Sequence, residues 1–374
     1  MERIAFIYGE TFVYWSSIVL TLAAASAICL FVSLYLSKSG NVRACATVIP
    51  FSIVVSLILA RLVHWYCRTD SYSGFLSAIT NFAGGFALMG VFAGCFLAAA
   101  FLRLMDTSEN LPEMLDCMCI AGAGGIALGR LSSLFNTSGR GQIVESMKSL
   151  PWVYPVTNAV SGVEEYRLAT FMLQAMVVAV IFVGLLVFYL RGQKKGGLKD
   201  GDTTLLFLIC YGASQVILDS TRYDSLFFRS NGFVSIVQVL GACAIGFPTI
   251  WLSIRLVKQR GFKLWYIGLW LAWAALMGLG GYMEYYVQRH GDRAVFAYSL
   301  MGAALVALVA LGIAIWYLAE KAPKKEILSE IAAEEKQEEE AHPEAEEPVV
   351  PEEQEANTEF SQEFDLNDLD LENL

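Results

Sequence analysis

"YGASQVILDSTRYD", residues 211–224, breaks a run of Leu, Ile, Phe and Val with Gln215, Asp219 and Arg222. At about 100° per residue, Tyr211, Gln215, Asp219 and Arg222 fall within roughly 80° of one another on one helix face. Such groups are costly in hydrocarbon, so the stripe must face protein, water or a polar ligand. The segment therefore reads as a membrane helix with one functional face, and other helices must supply the opposite wall.

The rest of the chain fits that frame. Its 374 residues are 56% hydrophobic, with a mean hydropathy of +0.52, which places it in the membrane class. Runs long enough to cross a bilayer occur near 11–37, 44–66, 79–102, 114–136, 167–190, 203–220, 233–254, 264–288 and 295–319. The third begins in the Gly-rich "NFAGGFALMG" and is expected to be partly re-entrant. Loop Lys and Arg residues number 14 on one side and 8 on the other, with "RGQKKGGLK" and "RLVKQRGFK" on the richer side, so the expected topology is N-out and C-in. The outer segment of about 137–166 carries Gly139, Gly141, Pro151 and Pro155 and reads as a small extracytoplasmic cap.

From Glu326 onward there are 19 acidic residues against the single Lys336, leaving residues 1–325 with a net charge of +8. "EILSEIAAEEKQEEE" reads as a cytoplasmic helix and the remainder as a disordered tail. Its end, "EFSQEFDLNDLDLENL", spaces Phe360, Phe364, Leu366, Leu369, Leu371 and Leu374 among carboxylates. It serves either as a solubilising tail or as a docking motif for a cytoplasmic protein with a basic groove. The eight cysteines are scattered through apolar segments and show no metal or disulfide spacing. No metal, cofactor or nucleic-acid partner is expected.

Several polar residues converge on one depth. Arg61 and His64 share a face near the outer end of the second span. Arg130, Ser133 and Asn136 lie in the outer third of the fourth, in "GRLSSLFN". Individually an arginine there can snorkel to the headgroups, Asp219 and Arg222 can form a simple helix-end pair, and His64 can belong to an interfacial belt. Together they bring guanidinium groups, suited to bidentate phosphate contacts, to the outer-leaflet level beside carboxylate and amide partners. A phospholipid headgroup is the expected ligand.

The order of motifs resembles the bacterial prolipoprotein diacylglyceryl transferase family over about residues 5–250. "IYGETFVYW", "LARLVHWY", "FAGGFALMG", "LGRLSSLFN" and "YGASQVILDSTRYD", followed by "GFVSIVQVLG", are similar in turn to the family's N-terminal lead, Gly-x-Arg segment, Gly-Gly segment, Gly-Arg-x-x-Asn-x-x-Asn signature, Tyr-Gly-x-x-Arg-x-x-x-Glu-x-x-Arg helix and Ser-x-x-Gln segment. The resemblance implies an all-α polytopic membrane protein of the bacterial cytoplasmic membrane. A seven-helix core with its cap would occupy 1–256, two additional C-terminal transmembrane helices 257–325, and the acidic tail 326–374. It also implies transfer of diacylglyceryl from phosphatidylglycerol to the lipobox cysteine of a preprolipoprotein signal peptide. Arg130 and Asn136, with Arg61 and Gln215, would bind the phospholipid, and Tyr211, Asp219 and Arg222 would form the catalytic group.

The chain departs from the family pattern at chemically sensitive places. Ser133 replaces the first signature Asn, and Thr137 and Ser138 replace a Gly-Glu pair. Asp219 stands for Glu, Gln215 for the second arginine, and Met89 for the family's His, implied to help activate the thiol. A neutral thiol is a poor nucleophile, and the departing glycerol phosphate needs cationic stabilisation. With Met89 and Gln215 in place, His64 is a substitute base to consider. A non-catalytic phospholipid-binding scaffold or sensor acting through the tail is the alternative. A small-solute transporter is a weaker one, since no internal repeat supports it.

Overall fold

The computed structural model describes residues 4–9, 11–38, 41–80, 85–106, 109–144, 151–158, 162–194, 197–228, 231–290 and 293–341. The chain divides into two units, 1–323 and 324–374. The tail segment 360–374 and Gly84 lie outside the described residues.

Among the described residues, nine helices are long and apolar enough to cross a membrane. They are α1 (Trp15–Lys38), α2 (Val42–Cys67), α4 (Leu88–Met105), α5 (Leu111–Arg130), α6 (Thr170–Lys194), α7 (Asp202–Ser220), α8 (Ile236–Arg260), α9 (Trp265–Arg289) and α10 (Ala294–Ala341). A short α3 (Phe75–Thr80) precedes α4. The chain is thus an all-α polytopic, multi-pass membrane protein. Three small antiparallel hairpins decorate the N-terminal face: β1 (Ile4–Tyr8) with β2 (Thr11–Tyr14), β3 (Val153–Thr157) with β4 (Glu164–Leu168), and β5 (Phe227–Phe228) with β6 (Asn231–Ser235). The first span therefore starts at Trp15 rather than near residue 11, because "TFVY" pairs with "IAFIY" across a turn in which Gly9 adopts φ +61°.

The third span also starts late, at Leu88 instead of residue 79. The cause is Arg61 on α2. Its Nε donates to the carbonyl of Ala78 and its guanidinium also donates to that of Gly85, while the Ala87 amide bonds the Ala60 carbonyl at 3.0 Å. Backbone groups committed to α2 are not available to an i to i−4 ladder.

The core is built by close helix pairs. Tyr35, Val48, Cys117, Ile120, Val178, Tyr189 and Phe207 are almost fully buried where α1, α2, α5, α6 and α7 meet. A second cluster, with Ile245, Met301 and Leu308, seats α9 and α10 against α7 and α8. Buried carboxylates tie the helix ends opposite the hairpins. Asp116 on α5 caps α7, accepting from Gly201 N at 2.8 Å, Thr204 N at 2.7 Å and Thr204 Oγ1 at 2.7 Å. A carboxylate at a helix N-terminus satisfies orphan amides and complements the helix dipole, which explains an aspartate 1% exposed in an apolar helix.

At the same end, Arg255 on α8 bridges Asp202 on α7 and Glu320 on α10; Trp316 Nε1 donates to Asp202 at 2.9 Å and Lys199 lies 3.3 Å from Glu320. Removing one member of a buried ionic group strands its partners. Arg255→Ala is therefore expected to cost about 3 kcal/mol in a reversible detergent-unfolding titration. A loss under 1 kcal/mol would show that solvent supports Asp202 and Glu320.

On the N-terminal face the cap is stitched to the end of α7. Gly141 N donates to the Leu168 carbonyl at 2.8 Å, Gln142 N to that of Thr221 at 2.9 Å, and Tyr223 N to that of Arg140 at 2.9 Å. Within the cap, Asn158 and Arg167 both donate to Glu165 and hold its carboxyl below the usual carboxylate range.

Candidate functional site

The polar stripe of α7 is buried as its spacing requires: Tyr211, Gln215 and Asp219 are 5%, 2% and 1% exposed. It does not face a single neighbour. Tyr211 stacks on Phe207 with ring centroids 5.2 Å apart and meets Phe92 of α4 edge-on at 5.4 Å. Gln215 turns toward α6, where its Oε1 accepts from Gln174 at 3.4 Å while its Nε2 reaches Ser214 at 3.2 Å. Asp219 turns toward α8: its Oδ2 accepts from Ser235, and its Oδ1 lies 3.6 Å from the Arg222 guanidinium without a hydrogen bond. A stripe of about two turns thus touches three helices, because α7 runs through the middle of the bundle.

Arg222 is held more firmly by Asp224, with Nε at 2.9 Å and the ion pair at 2.8 Å. Asp224 in turn accepts from Gly139 N at 2.9 Å, fixing the start of the cap. Gly139 has φ +71°, and a Cβ there would stand 3.2 Å from Phe171, so the turn admits little else.

Arg130, the last residue of α5, is partly buried. It lies within electrostatic reach of Arg222, Tyr211, Asp219 and Asp224. Among the described residues no carboxylate forms an ion pair with Arg130, whereas Arg222 holds two. Asn136 lies just past the 3-10 turn Leu131–Leu134, and its Oδ1 accepts from Ser138 N at 2.9 Å and Ser138 Oγ at 2.6 Å. Ser133 Oγ is 3.4 Å from Ser138 Oγ. The serines that replace signature residues thus order the turn after Arg130.

Arg61 and His64 are placed elsewhere. Arg61 is 5% exposed and covered by Tyr72 and Phe86, with its guanidinium centre 4.9 and 5.5 Å from their rings. Its guanidinium braces the loop before α4 rather than joining the Arg130 group. His64 Nδ1 lies 2.8 Å from the Tyr72 hydroxyl, and a Cβ on Gly85 would meet its Nε2 at 3.0 Å.

A cavity of about 230 Å³ opens on the α8 side of this group, lined among others by Asp219, Arg222, Ser235, Gln238, Glu284 and Tyr298. Ser235 and Gln238 form a capping box at the start of α8: Gln238 N donates to Ser235 Oγ at 3.1 Å and Ser235 N to Gln238 Oε1 at 3.0 Å. Neither residue was expected at the site, although Ser-x-x-Gln is the spacing of that motif. Asp224 and Ser225 follow α7 directly in the chain but had no expected site role, and Tyr298 is brought to its end only by folding.

Chemically, the arrangement offers one guanidinium without a carboxylate, a second neutralised by two, and a buried acidic cavity beside them. The sequence pattern of the prolipoprotein diacylglyceryl transferase family matches residues 3–252, from the first hairpin into α8. The chain is 25% identical over 261 residues to the phosphatidylglycerol–prolipoprotein diacylglyceryl transferase of Finegoldia magna, covering 69% of this chain and 97% of that protein. It is 26% identical over 247 residues to the protein of that name from Lactococcus lactis subsp. cremoris, covering 64% and 91%. For the Streptococcus uberis protein the figures are 29% over 224 residues, covering 56% and 83%. Helices α9 and α10 lie beyond the residues matched by the family pattern. The match takes in both helix ends that carry the arginine group, and the chain belongs to the prolipoprotein diacylglyceryl transferase family.

Proposed function

We propose that the protein transfers the diacylglyceryl group of phosphatidylglycerol to the lipobox cysteine thiol of preprolipoprotein signal peptides, at the outer face of the bacterial cytoplasmic membrane with its N-terminus outside. The observation that carries this reading is Arg130, a partly buried guanidinium among Tyr211, Asp219, Arg222 and Asp224 with no carboxylate of its own. Such a group suits a phosphodiester, which it can meet with two parallel hydrogen bonds. Arg222, neutralised by Asp219 and Asp224, fixes the wall beside Arg130 and, through Asp224 and the Gly139 amide, the start of the cap. Tyr211, whose buried hydroxyl faces Arg130, places a phenol group beside that guanidinium. Asn136 shapes the turn that follows Arg130, Gln215 supports the wall toward α6, and Arg61 and His64 brace the loop ahead of α4.

The second reading is a phospholipid-binding scaffold without turnover, recruiting a cytoplasmic protein through the acidic tail. Gln215 favours it, because an amide spent on Gln174 and Ser214 brings no charge to the site. Complementation separates the two. Expression in a strain depleted of its own diacylglyceryl transferase is expected to restore growth and lipidated lipoprotein. Protein that is expressed and inserted, yet restores neither, would favour the scaffold.

A further inference from the structure

Glu284 is a buried acid that the reading above does not use. It lies on α9, outside the residues matched by the family pattern, and is 7% exposed. Its Oε1 accepts from Gln288 Nε2 at 3.1 Å, while its Oε2 is buried with no hydrogen-bond partner. Among the described residues no Lys, Arg or His forms an ion pair with it. Burying a carboxyl group in this state is costly, and an unsatisfied buried polar atom calls for an explanation.

Its surroundings indicate the use. Glu284 lines the same 230 Å³ cavity as Asp219 and Arg222, which border the Arg130 group. Tyr298 of α10 also lines it, with its hydroxyl 3.3 Å from Ser220 Oγ. The other carboxylate in the wall, Asp219, is committed to Ser235 and faces Arg222. Met89 has no proton-accepting group, and His64 is absent from the lining. Asp219 Oδ1 also lacks a hydrogen bond but has the Arg222 charge 3.6 Å away, so Glu284 is the carboxylate in this wall with an oxygen that neither a hydrogen bond nor an ion pair satisfies.

We propose that Glu284 is the general base that receives the thiol proton of the incoming cysteine, an inference that rests on the transferase reading. The sulfur attacks the glyceryl carbon bearing the phosphate ester and forms the C–S bond. The C–O bond breaks, and its electron pair leaves on the oxygen of glycerol phosphate. The S–H proton passes to Glu284 Oε2 and from there to the departing phosphate or to water. The additional helices then complete the site by carrying a base into the cavity.

The test uses the full chain in phosphatidylglycerol vesicles with a lipobox peptide and the same peptide bearing selenocysteine, whose selenol is ionised at neutral pH and needs no base. General-base removal typically costs 10²–10⁴-fold, so Glu284→Gln, which keeps the acceptor for Gln288, is expected to slow thiol transfer by about 100-fold. With the selenol peptide the variant should come within about threefold of wild type. Wild-type rates on the thiol peptide, or equal loss on both peptides, would overturn the assignment. A wild type inactive on both would overturn the transferase reading itself.

Discussion

Arg130→Ala is expected to lower diacylglyceryl transfer by about 1,000-fold, roughly 4 kcal/mol of transition-state stabilisation. Removing one preorganised donor from a site of developing charge costs about 10²–10³ in rate, and here the donor is charged and helps hold the substrate. Arg222 does not replace it. Asp219 and Asp224 already neutralise Arg222, so the variant leaves two carboxylates around one guanidinium, a poor setting for a phosphodiester. Arg130→Lys restores the charge but not the two-pronged geometry, and about a tenfold deficit should remain. Initial rates in phosphatidylglycerol vesicles, read as lipidated peptide by mass spectrometry, measure both. An Arg130→Ala rate within tenfold of wild type would remove the phosphate role and direct attention to Arg222.

That expectation was available from the sequence in outline, because "LGRLSSLFN" and "YGASQVILDSTRYD" each carry their arginine near the end of an apolar run. Burial of the α7 stripe followed from helix periodicity alone. What periodicity does not encode is which neighbour each buried group meets. Arg61 looked like a third phosphate ligand, but it donates to carbonyls 17 and 24 residues further along the chain. The short hairpins were illegible for a related reason: "TFVY" is aromatic and β-branched, and next to an apolar helix it reads as part of the span. Asp116 shows the same limit. Its partners Gly201 and Thr204 lie 85 and 88 residues further along the chain, so nothing local in the sequence marks it as a helix cap. Glu284 stands near the end of the eighth apolar run, yet its sharing a cavity with Asp219 depends on α9 packing beside α7 and α8.

Gly90→Val is expected to destabilise the protein by more than 3 kcal/mol, and the reason is backbone contact. A Cβ at Gly90 would lie 2.3 Å from the Cα and N of Ala60, and one at Gly94 would lie 2.4 Å from the Cα of Ser56. No flexible side chain stands between the two helices to give way. Gly90 and Gly94 are one turn apart on α4 and meet Ser56 and Ala60, one turn apart on α2, as small residues do where membrane helices touch backbone to backbone. The Ser56 hydroxyl reinforces the pair by donating to the Val91 carbonyl at 3.2 Å. Valine at residue 90 must therefore push α2 and α4 apart, and the displacement reaches the site by two routes. Phe92 on α4 packs on Tyr211, and Arg61, next to Ala60, ties down the loop through Ala78 and Gly85. Gly184→Val on α6 is the control, because a Cβ there meets nothing within 4 Å and the residue is exposed. Detergent-unfolding titrations should separate the two variants clearly, with Gly184→Val close to wild type. Equal stability of Gly90→Val and wild type would mean that α2 and α4 do not approach at this face, and the placement of the loop that Arg61 braces would fall with it.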